Sequence, residues 1–168
     1  MSALFRGRFT AQIDGPFVVF LIGMRINQFW NVRRWLPVVL AMRSMLIELY
    51  SHPDKGFLSA ETLLTLRGPV MLQYWRSVDH LDRFARSKND PHLPAWQRFN
   101  RTAGVDGSVG IFHETYLVDA GRYECVYGNM PRFGLASAAE HVPAVGGRAT
   151  ARRRLGDATD EPVVPATY

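Results

Sequence analysis

Apolar residues in the first third of the chain change from a strand-like to a helix-like pattern. Residues 15–26 are rich in β-branched and aromatic side chains and follow a turn signal at Asp14, which predicts a strand buried on both faces. After Pro37, which the first turn of a helix tolerates, an apolar stripe at helical spacing predicts a helix of about four turns. The stripe consists of Val38, Met42, Met45, Leu46 and Leu49. This helix should end near His52, because the residue before a proline disfavours helical geometry.

The middle of the chain predicts a hairpin followed by a second helix. Residues 57–65 and 70–76 are two strand-like runs separated by a turn that contains Gly-Pro, as in an antiparallel hairpin. Ser77 is a suitable helix cap, and Asp79 would lie in the first turn of the helix. We expect this helix to break around residues 89–91, where an Asn-Asp-Pro sequence disfavours its continuation.

A further helical segment and two more strands complete the pattern. Residues 93–103 carry apolar side chains at helical spacing, residues 109–118 predict a fourth strand and residues 122–127 a shorter fifth. The resulting order predicts an α+β chain with the ferredoxin-like βαββαβ fold and an extra C-terminal strand. The helices cover one face of the sheet, yet the strands carry apolar residues on both faces. We therefore expect a second copy of the chain to cover the other face in a homodimer.

Length and composition suit one folded domain. The chain has 168 residues, of which 47% are hydrophobic and 21% charged, as is usual for a globular protein. From residue 144 onward, glycines, arginines and acidic residues replace the apolar periodicity. We predict a single domain over residues 1–143 and a flexible C-terminal tail over residues 144–168.

The charge and the cysteine content limit the expected binding partners and cellular location. The formal charge of +5 would suit an acidic partner, but the basic residues are scattered or lie in the predicted tail. No Lys/Arg stripe or aromatic platform supports nucleic-acid binding. The longest apolar run, residues 16–24, is shorter than the roughly 20 residues that span a bilayer, so no membrane partner is expected. Cys125 is the single cysteine, which fits a cytoplasmic location.

Four stretches carry a family likeness. They are VFLIGMR at 19–25 with Asn27 after it, QYWRSVDHL at 73–81, HLPAW at 92–96 and GIFHETY at 110–116. Together they resemble a small monooxygenase-like subfamily of the antibiotic-biosynthesis-type monooxygenases, over most of residues 6–142. The resemblance implies a dimeric α+β barrel that encloses an apolar or aromatic small-molecule substrate, with an oxidoreductase role in secondary metabolism.

A second stretch resembles a different enzyme of the same superfamily. Residues 127–134, YGNMPRFG, are similar to the segment that carries the axial histidine of haem-containing aldoxime dehydratases. Met130 stands at the position of that histidine. If haem is bound, the resemblance implies His113 or Met130 as its axial ligand.

The candidate site residues are polar and aromatic positions on the predicted strands and on the loop after the fifth strand. His113 and Glu114 are adjacent on the fourth strand, so they should face opposite sides of the sheet, and either can act as an acid or base in an apolar pocket. Arg25 is the third catalytic candidate, since a strand-end cation can orient a substrate oxygen. The expected substrate-binding residues are Asn27, Gln73, Trp75, Phe112, Tyr116, Asn129 and Met130. The alternative for each is structural: a satisfied core histidine, a Glu114 carboxylate paired with Arg25 or Arg76, a solvated strand end or an aromatic core residue.

Missing motifs limit the chemistry. The chain has neither a GxGxxG nor a Walker-type run, so no flavin or nicotinamide cofactor is expected, and it has no GxSxG nucleophile elbow. No spaced His/Asp/Glu set indicates a metal site. The leading hypothesis is a monooxygenase-like enzyme that either needs no cofactor or uses haem. Two alternatives stay open: a haem-dependent aldoxime dehydratase-like lyase, and a non-catalytic small-ligand-binding module.

Overall fold

The computed structural model describes residues 3–87, 92–101 and 103–157. The chain divides into two compact units. The larger unit comprises Val18–Tyr116, and the smaller unit comprises Met1–Phe17 with Leu117–Tyr168.

Most of the strands and helices belong to the larger unit. Within the described residues the strands are β1 (Phe5–Gln12), β2 (Phe17–Ile26), β3 (Phe57–Thr65), β4 (Gly68–Trp75), β5 (Val109–Val118), β6 (Tyr127–Met130) and β7 (Glu140–Pro143). The α-helices are α1 (Val32–Ser51), α2 (Val78–Arg86), α3 (His92–Arg101), α4 (Ala103–Asp106), α5 (Leu135–Ala138) and α6 (Ala151–Arg154). Short 3₁₀ helices occur at Pro53–Lys55 and Gly146–Arg148.

The larger unit contains a four-stranded sheet with the order β3-β4-β2-β5. β4 pairs antiparallel with both β2 and β3. The first and third strands of the βαββαβ sequence therefore lie in the middle, and the second and fourth lie at the edges. This strand order confirms the predicted α+β, ferredoxin-like fold.

Two apolar clusters join the helices to one face of this sheet. The first consists of Val18, Leu49, Phe57, Trp75, Leu81 and Phe84. The second consists of Met24, Ile26, Met42, Met71 and Val109. All five residues of the predicted α1 stripe belong to these clusters or pack against them, so the predicted helical face is confirmed.

Several boundaries differ from prediction. Helix α1 begins at Val32, well before Pro37. Pro37 lacks an N–H donor and its ring crowds the carbonyl four residues earlier, and packing of the α1 stripe against the sheet offsets this cost. Ser77 caps α2 as predicted, and its side chain accepts a hydrogen bond from the His80 backbone N–H. The predicted break at residues 89–91 lies outside the described part of the chain.

β5 has the predicted bounds but not the predicted environment. A strand buried on both faces was expected, whereas β5 lies at an edge of the sheet and residues 112–117 are exposed. An edge strand has a neighbouring strand on one side only, so its side chains lose part of their cover.

The smaller unit contains a three-stranded sheet with the order β6-β1-β7. The predicted fifth strand was placed too early, because strand pairing begins at Tyr127, and it joins β1 and not the four-stranded sheet. The residues just before it bind β1 and the residue that follows β1 without forming a ladder: the Tyr123 hydroxyl accepts from the Ile13 N–H at 2.8 Å. The Cys125 carbonyl accepts from the Thr10 hydroxyl at 2.8 Å.

Residues 144–157, which were expected to belong to a flexible tail, form part of the smaller unit. The Ala144 N–H donates to the Arg8 carbonyl at 2.9 Å. The Arg154 Nε donates to the Glu124 carboxylate at 2.8 Å, and the Arg148 guanidinium donates to Gln12 at 3.0 Å. The arginines that looked like tail residues therefore hold this segment in place. Among the described residues, none of the helices has the length and apolar character needed to cross a membrane.

Candidate functional site

The larger unit contains a cavity of about 640 Å³ between its helices and its four-stranded sheet. This volume falls within the range of small-molecule sites. Its apolar lining comes from β2, β5 and the facing sides of α1, α2 and α3. These residues include Phe20, Ile22, Met24, Pro37, Val38, Ala41, Met42, Met45, Val78, Leu81, Ala85, Phe99 and Ile111.

Strand alternation explains which side chains reach the cavity. Successive side chains of a strand point to opposite faces, so every second residue of β5 faces the helices. These are Ile111, His113 and Thr115, and all three line the cavity. Of the two adjacent candidates on β5, the structure therefore places His113 in the cavity wall and Glu114 on the opposite face.

His113 is the one histidine in the described lining. Its ring centroid lies 5.6 Å from that of Phe20, and the two planes are tilted by 40°. The side chain is exposed, so the cavity opens to solvent along the edge strand. A molecule that enters there would meet an imidazole beside an aromatic ring.

The remaining candidates on β5 are Phe112, Glu114 and Tyr116. They lie on the face of the sheet that points away from the helices, called the open face below. Phe112 is 41% exposed, and its ring covers Gly23 so closely that a Cβ there would lie 2.6 Å from the ring. The Tyr116 hydroxyl donates to the Glu114 carboxylate. This hydrogen bond, together with the carboxylate charge, raises the pKa of Tyr116 above its ordinary value. Glu114 thus binds a tyrosine and not one of the two arginines considered from the sequence.

Arg25 and Asn27 bind one another at the end of β2. The Arg25 Nε donates to Asn27 Oδ1 at 3.1 Å, and Asn27 Nδ2 donates to the Gly107 carbonyl at 2.9 Å. These bonds tie the end of β2 to the turn before β5. Neither residue is among those that line the described cavity.

Gln73 and Trp75 belong to the core under α1 and α2. Trp75 is fully buried, and Gln73 is 5% exposed. The Trp75 Nε1 donates to Gln73 Oε1 at 2.9 Å, which satisfies a polar group that burial would otherwise leave unpaired. Within the described residues, neither side chain reaches the cavity lining.

Asn129 and Met130 lie on β6 in the smaller unit. Asn129 has a left-handed backbone with φ +52, and its Oδ1 accepts from the Gly7 N–H at 2.9 Å. This bond lies at the irregularity in the pairing of β1 with β6, where Met130 opposes Phe5. Asparagine is one of the few residues other than glycine that tolerate this conformation, so a structural reason for Asn129 is evident.

The sequence reasoning missed the charged residues of the cavity. Arg33, Arg34, Asp82 and Arg98 line it together with the apolar residues. A usable signal existed for Arg34, which precedes Val38, Met42 and Met45 at the same helical spacing. No group of three or more His, Cys, Asp or Glu side chains is arranged to hold a metal ion in the parts of the chain that the structure describes.

Comparisons with known proteins agree with the resemblance seen in the sequence. The family model described as monooxygenase af470-like matches residues 17–135. Monooxygenase af470 of Aspergillus fumigatus is 28% identical over 155 residues, which cover 77% of this chain and 53% of that protein. The chain therefore spans about half the length of this curated relative.

Two solved structures are also similar. SnoaB, a cofactor-independent oxygenase from Streptomyces nogalater, is 14% identical with a TM-score of 0.39, and the match covers 62% of this chain and 92% of SnoaB. A dimeric protein of unknown function with a ferredoxin-like fold from Bacteroides fragilis is 14% identical with a TM-score of 0.40, covering 60% of this chain and 94% of that one. The family match includes β2 to β5 and the cavity between them and the helices. The chain belongs to the monooxygenase af470-like family.

Proposed function

We propose that this protein is a monooxygenase that acts on an apolar or aromatic small molecule bound in the cavity of the larger unit, with His113 as its acid–base group. The observation that carries the proposal is the position of His113 in the wall of an apolar cavity, in a chain that belongs to a monooxygenase-like family.

The chemistry follows from the residues available. A monooxygenase places one atom of O₂ in the substrate and reduces the other to water. Without a bound redox cofactor, the electrons come from the substrate, which must be easily deprotonated and conjugated. Imidazole accepts and donates protons near neutral pH, so His113 is suited to remove a proton from a substrate carbon. The apolar walls orient the substrate beside His113.

Oxygen uptake tests this proposal. The purified protein would be incubated with a panel of polycyclic phenols and conjugated polyenes, and O₂ consumption and product mass would be recorded. With a substrate that reacts, His113→Gln should lower the rate by about 10²-fold or more, as removal of an acid–base group usually does. His52→Gln is a matched control, because His52 is an exposed histidine at the end of α1 that pairs with Glu48.

The same variants separate the alternative functions when oxygen uptake, absorption spectra and ligand binding are all measured. Loss of activity in Glu114→Gln with normal activity in His113→Gln would move the site to the open face and contradict the proposal. A Soret band that disappears in His113→Gln would favour the haem-dependent lyase. Tight binding of a panel member without O₂ uptake, and without any effect of His113→Gln, would favour the non-catalytic binding module.

We also infer that the protein forms a homodimer through the exposed part of the sheet face that points away from the helices. This face carries a cross-strand row in which Leu63, Val70 and Gly23 are neighbours, and Phe112 covers Gly23. Leu63 is 40% exposed and Tyr116 is 52% exposed. Burial of such apolar surface against the same surface of a second copy is the simplest symmetric cover.

Light scattering after size exclusion tests the pairing. A mass of twice the 19.0 kDa chain is expected, and a monomer at micromolar concentration would contradict the inference. Leu63→Arg should shift the protein towards monomer, because it would place a charge in the buried interface. Arg43→Glu, an exposed position on the helical side, is the control for a change of surface charge.

A further inference from the structure

We propose that the cavity selects apolar ligands that carry one anionic oxygen group, such as a carboxylate, enolate or phenolate, and that Arg33 binds this group. The inference rests on the proposed function, since it names the substrate class of the same cavity. It concerns binding and not the reaction, so it can be tested separately.

The charges at the cavity do not balance. Three arginines and one carboxylate are among its described lining residues. Arg34 is paired with Asp106 at 3.2 Å, and Asp82 is paired with Arg86 at 2.7 Å. These two pairs neutralise Arg34 and Asp82, which leaves the charge of Arg33 to be accounted for.

Arg33 differs from Arg34 in this respect. Its side chain has no hydrogen bond or ion pair among the residues that the structure describes, and the first turn of α1 has no acidic residue to offset its charge. A cation that lines an apolar cavity without a partner is available to a ligand anion. The planar guanidinium can donate two parallel hydrogen bonds to a carboxylate, which favours this group over a neutral one.

The rest of the cavity fits an apolar ligand body. Pro37 and Ala41 continue the lining along α1 from Arg33, and Ile22 and Ile111 face the cavity from the sheet. Apolar walls with the Arg33 cation beside them orient an amphiphilic ligand in one direction. A ligand anion on Arg33 would leave the apolar body to extend along the helix.

A pair of fluorescent probes tests the charge preference. Anilinonaphthalene sulfonate and N-phenylnaphthylamine share one ring system, but only the first is an anion. Their dissociation constants would be measured for the wild-type chain, Arg33→Gln and Arg43→Gln. Arg43 is a matched control, since it is an exposed arginine on the same helix and is not among the described cavity-lining residues.

We expect Arg33→Gln to raise the dissociation constant of the anionic probe by about threefold to fivefold, the usual effect of losing a solvent-exposed ion pair. The neutral probe should be unaffected, and Arg43→Gln should change neither constant. Added salt should weaken the anionic probe in the wild-type chain and much less in Arg33→Gln. Equal affinity of the wild-type chain and Arg33→Gln for the anionic probe would overturn the inference.

A blocking variant shows whether the probes occupy the cavity. Thr115 lines the cavity but is exposed, so Thr115→Phe should fill part of it without disturbing the core. Both probes should bind this variant more weakly. If neither does, the probes bind outside the cavity and the inference is overturned, whereas the proposed function is decided by the oxygen-uptake assay. If both do but Arg33 has no effect, the anion preference alone fails.

Discussion

Replacing Gln73 with leucine should lower the free energy of unfolding by about 1–3 kcal/mol, the cost of a buried donor that loses its partner. Gln73 is 5% exposed, and its side-chain oxygen accepts the Trp75 indole hydrogen bond at 2.9 Å. Leucine is similar in size but has no acceptor. The indole N–H of a fully buried tryptophan would then remain unpaired. The Trp75 ring centroid lies 5.4 Å from that of Phe57 and 5.7 Å from that of Phe84, so the surroundings are aromatic.

A double-mutant cycle isolates this hydrogen bond from packing. Trp75→Phe removes the donor and also leaves a small cavity, so it should be costly alone. In the double variant both polar partners are absent, and the loss should be smaller than the sum of the two single losses by about 1 kcal/mol. This coupling energy is the part of the stability that the hydrogen bond contributes.

Urea unfolding followed by far-ultraviolet circular dichroism measures all four members of the cycle, since tryptophan fluorescence changes with Trp75 itself. Because the chain has two compact units, coincidence of transitions from different probes must be checked before a single free energy is assigned. Simple addition of the two single losses would refute the reasoning. A raised KM in Gln73→Leu with unchanged stability would instead favour the substrate-binding role predicted from the sequence.

Two other substitutions test local packing and titration. A Cβ on Gly23 would lie 2.6 Å from Phe112 Cε1 and 3.0 Å from Val70 Cγ2; because the Phe112 ring is 41% exposed and can move, Gly23→Ala should cost only about 1 kcal/mol in urea unfolding. Phe112→Ala should relieve most of this cost, and an equal cost in both backgrounds would contradict the proposed contact. The two ring nitrogens of His141 are buried without a partner among the described residues; burial, and to a smaller extent the charge of Arg132, lowers its pKa. Its neutral form therefore contributes stability above the ordinary histidine value of about 6.5, and this contribution is lost as the pH falls through the lowered pKa. His141→Phe should flatten the fall in melting temperature on acidification, and parallel pH profiles of the two proteins would count against the idea.

The larger unit could be predicted from the sequence because its elements are long and regular. β5 begins and ends at the predicted residues, and the α1 stripe packs where its spacing indicated. The smaller unit could not be predicted in the same way. β1 contains Gly7 at φ +97 between two arginines, which interrupts any alternating pattern. β6 and β7 have four residues each, too few for a period to be recognised.

The site was predictable only in part, because it depends on contacts between distant segments. The alternation of β5 predicts that His113 and Glu114 face opposite sides, but the side that faces the cavity is set by the helices. Arg33 and Asp82 reach the cavity through the packing of α1 and α2, which no local pattern contains. Gln73 looked like a strand-end ligand, but the nearby Trp75 uses its acceptor in the core.

His113 and Glu114 are adjacent on β5 but point to opposite faces of the sheet. Comparing substitutions at these two positions therefore tests which face binds the substrate. The two residues share one strand, both are exposed, and replacing either with glutamine changes little volume. A general disturbance of the edge strand should affect both variants, whereas loss of the dimer, whose proposed interface contains Glu114, would appear as a change of mass in light scattering. A large difference in oxygen uptake between His113→Gln and Glu114→Gln would then depend on which side of the sheet binds the substrate. The ligand preference assigned to Arg33 predicts the same side independently, because Arg33 and His113 line one cavity.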